Sequence, residues 1–197
     1  ISRERLKEIF FELKDKGAHN INLVNPTHYI YQIADVLSEI KSKLDIPVVY
    51  NTSGYEKAES LKLLENLVDV YLPDFKYMSG DLSKKYSGAE NYSAFAKKAI
   101  KEMQRQTRKI NIDENGIIQK GTIVRHMVLP GCRKDSSEIV HWLENNFSQD
   151  EILVSVMSQY TPCFKSENFK EINRKITTFE YNFVINEVNK AGLNGFM

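Results

Sequence analysis

The chain has 197 residues, enough for one domain with a substantial core. Apolar residues make up 42% and charged residues 27%, and 27 basic against 26 acidic side chains leave a formal net charge of +1. That balance gives no electrostatic basis for nucleic acid or an anionic membrane as partner, and no apolar run approaches the roughly 20 residues that span a bilayer.

From the N-terminus, Ser2 is placed to cap a helix carrying Leu6, Ile9, Phe10 and Leu13, with Gly17 as its stop. The strand Asn20–Val24 follows, then a helix striped by Ile33, Val36, Leu37, Ile40 and Leu44. Pro47–Tyr50 reads as a strand, residues 55–65 as a helix, and Val68–Leu72 as a third strand. Tyr92, Phe95, Ala96, Ala99, Ile100 and Met103 mark a longer helix. Asp113-Glu-Asn-Gly116 predicts a turn between Lys109–Ile112 and Ile117–Gln119, a small hairpin. Thr122–Leu129 is the fourth main strand. Asp135 with Glu138 suggests a capping box for the helix of Ile139, Trp142, Leu143 and Phe147. Glu151–Met157 is the fifth strand, and Thr177 with Glu180 caps a last helix ending at Gly192.

Five strands separated by helix-length connections predict an α/β fold with a parallel sheet, spanning residues 1–197 as one domain. Periodicity leaves an open doubly wound sheet and part of a barrel equally possible. In both, a site forms beyond the C-terminal strand ends. Polar groups cluster there: Asn25-Pro-Thr-His28, Asn51-Thr-Ser-Gly54, Pro73-Asp-Phe-Lys76, Arg125 with His126, and Ser158-Gln-Tyr-Thr-Pro162. Singly, most of these are ordinary turn chemistry, and Asp74 with Lys76 is compatible with a structural ion pair. Arg125 on an apolar strand is harder to dismiss, because a buried guanidinium needs partners. His126, facing the other way, reads as a core or interface histidine. No Gly-rich dinucleotide or phosphate loop and no serine nucleophile elbow is present. Cys132 and Cys163 stand alone, which suggests a reduced, cytoplasmic setting. The first residues, ISRERLKEIF, show no apolar core followed by a small-residue cleavage site, so secretion is not expected from them.

Together, the phrases NINLVNPTHY, IPVVYNTSGYE, VDVYLPDFKYM, YSGAENYSAFAKKAIKEM, GTIVRHMVLPG and SVMSQYTPC resemble radical S-adenosylmethionine (SAM) proteins of the pyruvate formate-lyase activating enzyme family. The resemblance implies a partial (β/α)6 TIM-like barrel, of which this chain supplies strands two to six. The first strand and the cluster-binding Cys-x-x-x-Cys-x-x-Cys loop are expected upstream of Ile1, so this segment alone is expected to be inactive. The family's Gly-Gly-Glu-type motif is replaced by Val24-Asn25-Pro26-Thr27, so Asn25, Pro26 and Thr27 become the counterpart contacts for the SAM amino group. Asn51, Thr52 and Ser53 resemble the family's Asp-Thr-Asn segment. Leu72-Pro73-Asp74-Phe75-Lys76 resembles its Leu-Asp-Leu-Lys. In the family these segments hold a monovalent cation, which implies Asn51, Thr52, Asp74 and the Leu72 carbonyl as its ligands here. Lys76 and Arg125 are the implied catalytic residues beside the SAM carboxylate, and Gln159 and Tyr160 fall where the family meets adenosine.

For the complete protein the resemblance implies a 4Fe–4S cluster that reductively cleaves SAM to a 5′-deoxyadenosyl radical. That radical would abstract hydrogen, by analogy from a glycine in a partner glycyl radical enzyme. The implied electron donor is a flavodoxin or ferredoxin. The residues alone also allow a Schiff-base barrel lyase using Lys76, or a non-catalytic barrel-derived binding protein. A barrel lacking its first strand presents an open edge, through which self-association is expected.

Overall fold

Ser2 caps the first helix as its position suggests: its hydroxyl accepts from the Arg5 N–H at 3.2 Å, and α1 runs Arg3–Asp15. The computed structural model describes residues 1–196; the expected domain end, Met197, lies outside the described residues. After α1 come β1 (Ile21–Val24), α2 (Ile30–Ile40), β2 (Val48–Thr52), α3 (Ala58–Leu61) and β3 (Val70–Pro73). They are followed by α4 (Gly80–Ser87), α5 (Tyr92–Thr107), β4 (Asn111–Ile112), β5 (Ile118–Met127) and α6 (Arg133–Asn146). The chain ends with β6 (Ile152–Met157), α7 (Thr178–Lys190) and β7 (Gly195–Phe196). Among the described residues no helix is long and apolar enough to cross a membrane.

The strand order is β1-β2-β3-β5-β6-β7, all neighbours parallel, with β4 pairing antiparallel to β5. This is a partial TIM-like barrel whose path ends at β1 on one side and β7 on the other. Five strands were expected in the main path; Gly195–Phe196 adds a sixth beside β6. The helix expected over residues 55–65 is one turn, α3, continued by a 3₁₀ turn over Lys62–Leu64. The hairpin arm at Ile117–Gln119 and the strand from Thr122 are one continuous strand, β5. Helix α4, which Ser79 caps toward the Leu82 N–H and Gly88 ends at φ 67°, stands beyond the expected elements.

Parallel register sorts the strand side chains by face. One face carries Ile21, Val48, Tyr50, Thr52, Tyr71, Thr122, Val124, His126, Ile152, Val154 and Val156, all no more than 8% exposed. The helices cover this face in two continuous apolar clusters, one on the β1–β3 side and one on the β5–β7 side. The other, concave face carries Val24, Asn51, Leu72, Asp74, Arg125, Ser155 and Met157 in neighbouring register. These residues are half-buried or exposed, because no helix lies against them.

Two caps show how local signals fare. Thr177 and Glu180 form a reciprocal capping box at the start of α7. Asp135 does not cap α6. Cys132 is the N-cap, and Asp135, one turn inside, turns its carboxylate outward to accept from the Met78 and Ser79 N–H groups at 3.0 and 2.6 Å. The same acidic side chain near a helix start can serve its own helix or a neighbouring loop, and here the loop before α4 takes it.

Candidate functional site

Strand β5 carries Arg125 on the concave face, directly beside Asp74 at the end of β3. Its Nη2 donates to Asn51 Oδ1 of β2 at 2.8 Å and lies 2.6 Å from Asp74 Oδ1. One guanidinium therefore ties three strands. Lys76 Nζ approaches the other Asp74 oxygen at 3.5 Å. The Arg125–Asp74 contact is close but poorly aligned. Neither Asp74 Oδ1 nor the buried Arg125 Nε makes a directed hydrogen bond among the described residues. A buried donor without a partner costs free energy and marks a position prepared for a polar ligand.

Backbone around the cluster is fixed from the helix side. The Tyr92 hydroxyl, from the first turn of α5, lies 2.9 Å from the Ser53 carbonyl and 2.8 Å from the Asp74 carbonyl, and accepts from the Lys76 N–H at 3.0 Å. Burial raises the Tyr92 phenol far above its usual range, so it remains a donor. A second clamp centres on Glu56, only 2% exposed. Its Oε1 accepts from Thr27 Oγ1 at 2.5 Å, Thr52 Oγ1 at 2.6 Å and Tyr50 Oη at 3.3 Å. Neither Tyr92 nor Glu56 was singled out from sequence. Tyr92 reads as one more apolar helix position, and Glu56 as a surface residue in a charged stretch.

The predicted site residues thus divide. Asn51, Asp74, Lys76 and Arg125 are brought together. Thr52 is not with them: adjacent strand residues point to opposite faces, and its hydroxyl is buried against Glu56. Leu72 stands opposite Asn51 in the β2–β3 register. Asn25 takes a left-handed conformation (φ 49°) and extends the β1–β2 ladder by donating its N–H to the Asn51 carbonyl at 2.8 Å. Pro26 is buried, Thr27 is held by Glu56, and Ser53 contributes its carbonyl to the Tyr92 clamp. Gln159 is exposed and contacts the Met157 sulfur, while Tyr160 donates to the Ile172 carbonyl at 2.9 Å. The first contact ties the loop back to the end of β6, and the second ties it to the segment before α7.

His126 is a core residue, as its register implied. Nδ1 lies 2.7 Å from the Phe75 carbonyl and Nε2 2.8 Å from Ser136 Oγ, so Nδ1 carries the proton and Nε2 accepts. Complete burial lowers its pKa from the ordinary 6.5. The neutral form is therefore favoured by folding, and that stability is present above pH 6.5 and is lost as pH falls. Unfolding free energies measured from pH 7 to pH 5.5 are expected to fall with acid in the wild type, a loss that His126→Gln abolishes. An identical pH profile for the variant would assign the loss to other groups.

Cys132 is half-buried and Cys163 exposed; burial pushes the Cys132 thiol up to about 11. Among the described residues no group of three His, Cys, Asp or Glu side chains could hold a metal. No protein-family profile matches the chain. It is 30% identical over 180 residues to an uncharacterized protein of Methanocaldococcus jannaschii, an alignment covering 89% of this chain and 47% of that protein. The chain thus spans about half the length of the curated relative it matches. In structure it is similar to a domain of pyruvate-formate lyase-activating enzyme from Bacteroides vulgatus, at TM-score 0.60 and 12% identity, over 89% of this chain and 95% of that one. It is also similar to methylornithine synthase (PylB), at TM-score 0.58 and 13% identity, over all of this chain and 61% of that one. At these identities the likeness is one of fold.

Proposed function

We propose that the chain is the SAM-binding barrel portion of a radical SAM enzyme, with an activating-enzyme-like role for the whole protein. The observation that carries this reading is the Arg125–Asp74–Asn51 cluster on the concave rim, with a buried Arg125 Nε left unpartnered. It is supported by the barrel fold and by the strand-end phrases.

SAM fits the donor set. Its carboxylate suits the ammonium of Lys76, which is 37% exposed and within reach of a ligand, beside the part-exposed guanidinium of Arg125. Its amino group suits carbonyls along the Asn25–Thr27 turn. An iron–sulfur cluster does not fit the described residues, since two separated cysteines, one held protonated by burial, provide no three-thiolate set. Its ligands are proposed to come from elsewhere in the whole protein. Together, SAM and a reduced 4Fe–4S cluster supply one-electron bond cleavage and hydrogen abstraction. In this reading Arg125 and Lys76 bind and orient the carboxylate. The Tyr92 clamp fixes the backbone on which Asp74 and Lys76 stand. The apolar residues Val24, Leu72 and Met157 line the approach. A glycyl radical enzyme as substrate, and a flavodoxin or ferredoxin as electron donor in a cytoplasmic setting, are part of the same proposal.

The test uses the whole protein, purified without oxygen and reconstituted with iron and sulfide, then given dithionite and SAM. Formation of 5′-deoxyadenosine is expected, with Arg125→Ala reducing SAM affinity at least tenfold, the loss of one charge-assisted contact. A protein that takes up no cluster, or one that carries a cluster yet leaves SAM intact, would overturn the reading.

A further inference from the structure

The family resemblance implies a monovalent metal ion held by Asn51, Thr52, Asp74 and the Leu72 carbonyl, and the geometry of this rim does not fit one. A hard cation is held by several oxygens converging on one point. Here Asn51 Oδ1 accepts from Arg125 Nη2 at 2.8 Å, and Asp74 Oδ1 lies 2.6 Å from the same nitrogen. The space between the two oxygen-bearing side chains is thus already filled by a cation that belongs to the chain. Thr52 contributes nothing, because strand alternation sends its hydroxyl to Glu56 on the far face of the sheet, 2.6 Å away. Charge counts the same way. Asp74 is the one carboxylate in the cluster, and it faces two fixed positive groups, Arg125 at 2.6 Å and Lys76 at 3.5 Å. The side chains of Asp74 and Arg125 are only 16% and 27% exposed, so water screens a further positive charge poorly.

We infer that the Arg125 guanidinium is the resident cation of this rim, a positioning residue that takes over the neutralising and strand-bridging part of a bound monovalent metal ion. A tethered cation needs no ion from solution and reaches across β5, β3 and β2 through one planar group. The rim is therefore independent of sodium and potassium. Removing the guanidinium frees Asn51 Oδ1 and Asp74 Oδ1 and leaves Asp74 only the longer contact to Lys76 at 3.5 Å, which opens the ion site that the native chain lacks. This inference does not rest on SAM binding, and its test contains no SAM.

The experiment measures thermal unfolding of the whole protein without cluster, in sodium, potassium or choline chloride at equal ionic strength. The wild type is expected to unfold at the same temperature in all three. Arg125→Ala is expected to be less stable in choline and to recover by roughly 2–4 °C in sodium or potassium, since an ion that binds only the folded state stabilises it. Adding Asp74→Asn to that variant is expected to remove the recovery. Two results would overturn the inference: a wild-type preference for sodium or potassium that Asp74→Asn abolishes, or a folded Arg125→Ala protein indifferent to the cation. If Arg125→Ala does not fold, the wild type and Asp74→Asn decide the matter between them.

Discussion

Replacing Gly54 by alanine is expected to destabilise the protein by about 3 kcal/mol or more and to displace the Asp74–Lys76 segment. Two costs combine. Gly54 has φ 78°, a left-handed conformation that a Cβ disfavours by about 1–2 kcal/mol. In addition, the new Cβ would fall 2.1 Å from the Asp74 carbonyl oxygen and 3.2 Å from the Tyr92 hydroxyl. Both are fixed atoms, so the loop after β2 must move away from the end of β3. That movement breaks the hydroxyl contacts joining Tyr92 to Ser53, Asp74 and Lys76, the group that orients the rim. Gly116 provides the control. It shares the φ of 78°, yet nothing lies within 4 Å of its added Cβ. Gly116→Ala therefore isolates the backbone conformation, and unfolding free energies from urea titration of the two variants should differ by about 2 kcal/mol. Equal losses would mean that the loop after β2 yields without cost and that Gly54 is kept only for its φ.

What sequence reading could reach follows from how local each interaction is. The helix–strand alternation was legible because every main strand and the long helices carry their apolar residues at their own period. The Thr177–Glu180 capping box was legible because both partners lie within one helical turn. Asp135 carries the same kind of signal and misleads, because its partners, Met78 and Ser79, lie 56 and more residues away. Helix α4 was missed because its amphipathic stripe is short and rich in Lys and Ser. The final strand is two residues long and depends wholly on β6. Within the rim, Arg125, Asp74 and Asn51 stood out as polar groups at apolar strand ends. Their mutual arrangement did not, since the register that aligns β2, β3 and β5 is a tertiary property. Thr52 shows the limit most clearly: one step along the strand from Asn51, it belongs to the opposite face and to a different network.

Glu56 is where that network can be broken, and Glu56→Ala is expected to cost about 3–5 kcal/mol. Its carboxylate oxygen Oε1 takes three hydroxyl donors: Thr27 from the turn after β1, and Tyr50 and Thr52 from β2. Tyr50 and Thr52 are fully buried, so their hydroxyls have no water to turn to. Burial first, and then the charge of Glu56, hold the Tyr50 phenol well above its usual range, which keeps it a donor. Truncation to alanine leaves these donors unsatisfied and opens a cavity, and each unpaired buried group costs about 1–3 kcal/mol. Glu56→Gln keeps the shape and one acceptor oxygen, and should lose only about 1–2 kcal/mol. The two variants also separate a brace from simple filling. If Glu56 holds the Asn25–Tyr29 turn against the end of β2, amide exchange across residues 25–29 should quicken in Glu56→Ala and stay near wild type in Glu56→Gln. A Glu56→Met variant that matches the wild type in both stability and exchange would show that only volume matters at this position. Slow exchange lost together with stability would instead show that the first rim turn is held in place by a carboxylate 29 residues beyond Thr27 in the chain.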